Sequence, residues 1–332
     1  MWTIAEAALN EKDPLRMGVL MMFWLESNIM ASIPFFTVNR LGISMTRQVR
    51  TSLTKPGWVA IGEAYGKSTA HLEQVEETVF KLGRDIDIPK GLENLDGQFE
   101  DPRVLMTETE LKTLTYEFNE ASVNGPFIGA GGLALANAPA GIRTRINDVA
   151  GEPGLQDSLL APTAADSTPF GPTATSLNRH AVLDALNRSM YFLDGKRPDA
   201  GYCNKTFLLA LESAFRREQL FSITRDQYER IVYTFRDCPI YDVGTKADQV
   251  TPIITDVEAF GGETDCTSIY WAKTGVRTHF HGWEKEPLDV RDMGELQTEP
   301  VMRTRVDWSP GLASWHVRSL ARVQGIAAAR TV

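Results

Sequence analysis

Cysteine is scarce in this chain of 332 residues: there are three, Cys203, Cys238 and Cys266, widely spaced and odd in number. With no C-x-x-C pair they suggest neither a thiolate zinc site nor a disulfide framework, and the simplest reading is structural thiols in a reducing compartment. Basic charge is short as well. Lysine and arginine total 34 against 43 aspartates and glutamates, a net charge of −9. The chain therefore lacks the overall electrostatic footprint of a dedicated DNA- or RNA-reader. Long apolar runs are missing: the most apolar stretch, residues 19–25, is far below the ~20 residues that cross a bilayer. Glu6, Glu11 and Asp13 stand where a secretory signal would be basic and then apolar. The expectation is a protein made and kept in a cytoplasm, with no membrane partner. The remainder is ordinary, with 43% hydrophobic and 23% charged residues. That is a globular composition, not a disordered or collagen-like one, and the length sets a prior of about two domains.

Residues 1–36 read as an arm. Leu15, Val19, Met22 and Phe23 have helical spacing behind Pro14. The run Met17, Met21, Met22, Phe23, Trp24 needs a covering surface, either its own body or a neighbouring subunit. Residues 37–76 read as a long hairpin or flap turning at Lys55-Pro56-Gly57. Its return limb carries Trp58, Ile61 and Tyr65 among glycines, too few apolar residues for a core, so it must lean on something else. Residues 77–92 alternate like one long half-buried strand. A helix is predicted over 107–124, with Thr107 and Glu110 as a capping box, Leu111, Leu114, Phe118 and Ala121 as its stripe, and Gly125-Pro126 as its end. Residues 151–176, rich in Gly, Pro, Ser, Thr and Ala, read as an exposed loop or insertion. Two more helices are predicted. One, over 178–193, buries Leu183, Leu186, Met190 and Leu193; the other, from Asn204, buries Phe207, Leu208, Leu211 and Phe215. Strands are predicted at 229–236, 238–243, 267–272, 276–281, 299–308 and 312–326. That order, without a βαβ rhythm, makes the fold class α+β.

Few residues form a constellation with chemistry. His279-Phe280-His281 on a strand would put both imidazoles on one face, with Glu284 or Asp265 as a further metal ligand. Two histidines without a third fixed ligand are weak, and surface histidines near a turn weigh more, so no metal site is assigned. Gly129-Ala130-Gly131-Gly132 lacks the Gly-Lys-Ser/Thr ending of a phosphate loop and reads as a hinge or loop. No G-x-S-x-G elbow is present, and Cys203 and Cys238 have no nucleophile signature around them. Adjacent Glu76 and Glu77 would face opposite sides of a strand, as solvated charges. No catalytic residue and no cofactor are expected, and the chain does not read as an enzyme. Arg40, Arg47, Arg50 and Lys55 gather in the flap. In an acidic chain their better match is an acidic patch of another subunit, not nucleic acid. The residues alone thus describe an α+β body with an apolar arm and a cationic flap, both in need of partners, which fits a self-assembling protein.

The order and wording of several segments resemble the major capsid proteins of tailed bacteriophages, with the Hong Kong 97-like capsid fold. The stretch Ala60-Ile61-Gly62-Glu63-Ala64-Tyr65-Gly66-Lys67-Ser68-Thr69 resembles that family's E-loop, and 78–88 (TVFKLGRDIDI) the strand after it. LKTLTYEFNEASVNG (111–125) is similar to the end of the spine helix, and PDAGYCNKTFLLAL (198–211) to the lead into an A-domain helix. Cys238-Pro239-Ile240 and residues 300–326 resemble later strands of the same family.

The resemblance implies an N-terminal arm (1–36) and an E-loop (37–76). It implies a P-domain at 77–128 and 288–305, with the spine helix and a long β-hairpin, and an A-domain at 129–287 and 306–332. It further implies pentamers and hexamers of an icosahedral shell around double-stranded DNA held without sequence-specific contacts, in a virion assembled in the host bacterial cytoplasm. A portal protein is an implied partner, and a decoration protein another. A separate scaffolding protein, or none, is expected, because Met1 begins almost directly with the arm. Inter-subunit contacts are expected from Phe23, Trp24, Arg47, Arg50, Lys55, Trp58, Glu63 and Tyr65. Some family members join an E-loop lysine to a P-domain asparagine. Lys55 and Lys67 are available here, but residues 288–305 hold no asparagine, so no such cross-link is expected. An encapsulin-type nanocompartment shell, which shares the fold, is the alternative.

Overall fold

A computed structural model describes residues 27–38, 42–48, 57–65, 72–93, 102–125, 138–148, 158–159, 168–170, 176–218, 223–225, 231–260 and 263–327. The expectations for residues 1–26, for Arg40, Arg50 and Lys55, and for Gly129-Ala130-Gly131-Gly132 lie outside them. At its start Ser27 caps helix α1 (Asn28–Ser32), its Oγ accepting from the Met30 N–H at 3.1 Å. Ile29, Met30 and Ile33 are buried, so the last part of the expected arm is core. Strand β1 (Phe35–Thr37) follows, then the antiparallel pair β2 (Gly42–Gln48) and β3 (Leu72–Thr78), running from Gly42 opposite Thr78 to Gln48 opposite Leu72.

The single strand expected over 77–92 is two. β3 ends at Thr78 and β4 (Leu82–Pro89) begins a different sheet. Between them Val79 packs on a separate apolar cluster, and the Phe80 N–H binds the Pro310 carbonyl at 3.2 Å. The alternation survives because the connection is itself half-buried. After α2 (Lys90–Glu93) comes the longest helix, α3 (Pro102–Asn124). It starts five residues earlier than its stripe suggests, with Pro102 in the first turn, where its missing N–H costs nothing. Thr107 is thus inside the helix and is not its N-cap, while Glu110 pairs with Arg84 at 2.8 Å. The predicted stripe of Leu111, Leu114, Phe118 and Ala121 is buried.

The rest runs α4 (Ile142–Asp148), β5 (Ser158–Leu159), β6 (Thr168–Pro169), α5 (Ser176–Met190), β7 (Ala200–Cys203), α6 (Lys205–Arg217), β8 (Ile223–Arg225), β9 (Ile231–Phe235), β10 (Cys238–Asp242), β11 (Glu258–Phe260), β12 (Glu263–Ala272), β13 (Phe280–Glu284), β14 (Asp289–Glu295), β15 (Val301–Trp308), β16 (Pro310–Ser314) and β17 (Leu320–Ala327). Three expectations change. The stretch 151–176 is not simply an exposed loop. β5 and β6 both pair in parallel with β17, and Phe170 just beyond is buried and stacked on Phe207. The strand expected at 276–281 is mostly a turn, closed by the N–H of His279 on the Gly275 carbonyl at 2.9 Å. The strand expected at 312–326 is two strands of different sheets, β16 on β13 and β17 on β12. Smaller differences are that α5 stops at Met190, leaving Leu193 buried beyond its end, and that Leu208 is only half-buried.

Nine strands form the largest sheet, in the order β5-β17-β12-β7-β10-β9-β8 with β11 and β6 paired at its side. Helices α5 and α6 lie on one face of it and share a core with Phe207, Leu211, Phe215, Leu186, Trp271 and Ile240. Helix α6 is set by Asn204. Its Oδ1 accepts from the Phe207 N–H at 2.8 Å, while its amide donates to the Ile254 carbonyl at 3.1 Å and to Thr267 Oγ1 at 2.9 Å. A second core joins α1, β1, α3, α4 and the three-stranded sheet β14-β15-β4. There Phe118 packs its ring 4.8 Å from Trp308 and 6.1 Å from Phe35. The small sheet β1-β13-β16 gives Phe35, Phe280 and Leu312 to this second core and Trp283 and Ala313 to a separate cluster. Among the described residues no helix is long and apolar enough to cross a membrane.

Candidate assembly surface

Residues 57–65, between β2 and β3 in the chain, carry three large apolar side chains in solvent. Trp58 is 104% exposed, Ile61 108% and Tyr65 86%. The local cause is a tight turn at Ala60–Glu63, closed by the Glu63 N–H on the Ala60 carbonyl at 3.0 Å. Gly62 sits there at φ +97°, the left-handed position that glycine fills without strain. Glu63 is exposed beside them. A lone exposed apolar residue needs no explanation, but three within eight residues of a loop do.

The root of the same hairpin is firmly held. Arg145 on α4 grips Glu77 on β3 with both guanidinium nitrogens, one contact being 3.1 Å. It also donates to the carbonyls of Leu312 and Ala140, each at 2.9 Å. The two side chains are 10% and 15% exposed, so Glu77 is not the solvated charge that its sequence context suggests. Beside this pair Phe36, Val38, Val79 and Trp315 pack on buried Trp283 and Ala313. The Val38 N–H donates to the Glu284 carbonyl at 2.8 Å. Burial holds the Glu284 carboxyl above its ordinary range, although Trp308 Nε1 at 2.9 Å and Thr37 Oγ1 at 3.2 Å both donate to it. Both chain segments that bound the hairpin are thus fixed to the body.

The exposed face of β4 and β15 is a ladder of charge. Arg303 binds Asp87 and Arg305 binds Asp85, each through two nitrogens at 2.5–2.8 Å. These hydrogen bonds hold both aspartates below their usual range. The opposite face of β4 buries Ile86 and Ile88 against α3, which is why the alternation there is so regular.

The comparisons with known proteins divide by what is compared. No protein-family model and no curated protein matches the sequence. Solved structures do match. A holo encapsulin complex from Synechococcus elongatus superposes with a TM-score of 0.62 at 11% identity, covering 93% of this chain and 89% of the other. The capsid of a native GTA particle gives 0.55 at 11% identity, with 91% of each chain covered. Microbacterium phage Oxtober96 gives 0.55 at 12% identity, with 90% of each covered. This is the Hong Kong 97-like capsid fold. At these identities the likeness establishes the fold alone.

Within the Hong Kong 97-like fold, the expected contact residues are distributed as follows. Trp58, Glu63 and Tyr65 stand together on the exposed loop. Arg47 lies in β2, opposite Glu73. Phe23, Trp24, Arg50 and Lys55 are outside the described residues. The two histidines do not gather a metal. His279 Nε2 faces Asp194 Oδ2 at 3.3 Å, and that contact is the main reason Asp194 is held below its ordinary range. His281 faces inward between Trp315 and Phe36. Glu284 is engaged by Trp308 and Thr37, and Asp265 lies on β12 in another sheet. No group of three metal-ligating side chains occurs among the described residues. The three cysteines are buried and form no disulfide, and burial pushes the thiols of Cys203 and Cys238 well up. Sequence reasoning missed Arg145 and Glu77 because they lie 68 positions apart; the available signal was a pair of arginines, Arg143 and Arg145, in a short helix whose Ile142 and Ile146 are core.

Proposed function

We propose that the chain is the structural subunit of a closed protein shell, the major capsid protein of a tailed bacteriophage. It would form pentamers and hexamers of an icosahedral capsid enclosing double-stranded DNA. The observation that carries this reading is a bare apolar loop on an anchored hairpin, in a chain with the Hong Kong 97-like fold. A protein that leaves Trp58, Ile61 and Tyr65 in water as a monomer gains several kcal/mol by covering them. A second copy is the partner whose concentration is always matched.

In this reading 1–36 is the arm and 37–76 the E-loop. The P-domain comprises 77–128 and 288–305, and the A-domain 129–287 and 306–332. Phe23, Trp24, Arg47, Arg50, Lys55, Trp58, Glu63 and Tyr65 meet neighbouring subunits, and the subunit itself performs no catalysis. A portal, a separate scaffolding protein and a decoration protein complete the particle. The net charge of −9 suits a container, since an acidic wall repels DNA and lets it slide during packaging.

The likeness to the encapsulin complex, at a TM-score of 0.62, favours one second reading, a nanocompartment shell. Electron microscopy of purified particles followed by analysis of their contents separates the two. Nuclease-protected DNA and a portal vertex support the phage capsid, while a single protein cargo without DNA supports the nanocompartment.

A further inference from the structure

Three pieces of chain meet at His281. β1 lies beside β13 in parallel register, with Phe36 opposite Trp283. β16 lies on the other side, with Ala313 opposite His281. The turn after β16 brings Trp315 over the imidazole, ring centres 6.4 Å apart. His281 is 0% exposed. Trp315 Nε1 lies 3.3 Å from His281 Nε2, and His281 Nδ1 lies 3.2 Å from the His279 carbonyl oxygen. An indole N–H can only donate, and a carbonyl can only accept. The two partners therefore select one state, a neutral ring with its proton on Nδ1 and a bare acceptor at Nε2.

The charged surroundings point the same way. From α4 comes Arg145, with Glu77 of β3 clamped to it. From the preceding turn comes Arg277, stacked 5.6 Å over Phe36. Both arginines oppose a further positive charge on the ring. His279 is held by Asp194, His316 lies next to His279 at 5.8 Å between ring centres, and Glu284 is held by Thr37 and Trp308. None of the carboxylates is bonded to His281.

We propose that His281 is a proton-operated latch at the root of the hairpin. A proton taken from solvent by Nε2 sets two N–H donors against each other, breaks the contact to Trp315 and loosens β1, together with the chain entering the hairpin. Burial foremost, helped by the two arginines, lowers the ring to about 4, so the latch opens in acid and is closed at neutral pH. The inference needs no assembled shell and can be tested on the isolated chain, whatever becomes of the capsid reading.

Amide hydrogen exchange on the full chain, corrected for the intrinsic pH dependence, provides the test. The reporters are the Val38 N–H, bonded to the Glu284 carbonyl, and the Gly282 N–H, bonded to the Pro34 carbonyl. Their protection is expected to fall roughly tenfold as pH drops from 6 to 4, while the centre of β12 keeps its own. His281→Gln supplies an amide oxygen for Trp315 and an N–H for the His279 carbonyl but takes up no proton, and should hold protection level down to pH 4. Trp315→Phe removes the opposing donor and should move the loss to higher pH by about one unit. An identical acid step in wild type and His281→Gln overturns the proposal, as does an unmoved step in Trp315→Phe. Should the glutamine variant fail to fold, the titration of His281 in the wild type decides, and a midpoint near the ordinary 6.5 overturns the latch.

Discussion

Replacing Arg145 by alanine removes four donor contacts at once, two to Glu77 and one each to the carbonyls of Leu312 and Ala140. It also strands a carboxylate whose side chain is only 15% exposed. Breaking a buried ion pair from one side costs ~3–5 kcal/mol, because the remaining charge is left uncompensated. Residual water at Glu77 puts the expected loss near the lower end, about 3 kcal/mol, a large share of the ~5–15 kcal/mol that holds an ordinary domain together. Glu77→Gln should cost about 2–3 kcal/mol: the amide oxygen still accepts one bond and Arg145 keeps the carbonyls of Leu312 and Ala140, but the guanidinium loses its counter-charge. The double variant should then cost at least about 1 kcal/mol less than the sum of the single changes. Urea denaturation read by fluorescence gives all four stabilities from midpoints at unchanged slope. Arg145→Ala within about 0.5 kcal/mol of wild type, or strictly additive changes, would refute the reasoning that this pair anchors the hairpin.

Trp58→Ala, at a fully exposed position, should leave folding within about 0.5 kcal/mol yet raise the concentration needed for assembly, measured by light scattering; Arg50→Glu should do the same, and normal particles from either would count against the contact surface. Asn204→Ala loses the cap of α6 and abandons the buried Ile254 carbonyl, so denaturation should show about 2–3 kcal/mol of lost stability. For pH, the sign follows from His281. Its folded value of about 4 lies below the ordinary 6.5, so between those values the unfolded chain binds the extra proton and stability falls as pH falls. The gap is worth about 3 kcal/mol, measured as the difference in pH dependence between wild type and His281→Gln, and parallel curves would contradict it. The buried thiols of Cys203, Cys238 and Cys266 should resist an aromatic disulfide reagent until denaturant is added, and rapid reaction in buffer would contradict their placement.

Periodicity made the central helices legible. The stripe of α3 and the Phe207–Leu211–Phe215 face of α6 are buried as expected, since burial on one side is what a 3.6-residue period records. Ends and partners were less legible. Thr107 looked like a cap because the buried stripe begins only at Leu111, while Leu105 and Met106, earlier in α3, are exposed and add nothing to its period. The alternation through residues 77–92 concealed a change of sheet, because Val79 and Phe80 are also half-buried. The short strands within 158–169 are held by the edge of β17 and have no pattern of their own. At the candidate surface the bare loop was foreseeable from Trp58, Ile61 and Tyr65 lying among glycines. Its anchorage was not, because Glu77, Arg145 and Leu312 meet only in the folded chain. The histidine pair misled for a related reason: His279 ends a turn and His281 lies inside the sheet, so they do not share a strand face.

Negative-stain electron microscopy of the purified chain, alone and mixed with its genomic neighbours, tests the shell reading most directly. Closed icosahedral particles, or free pentamers and hexamers, are the expected result. A monodisperse 36.9 kDa monomer under every condition tried, with Trp58 still open to solvent quenchers, would contradict it.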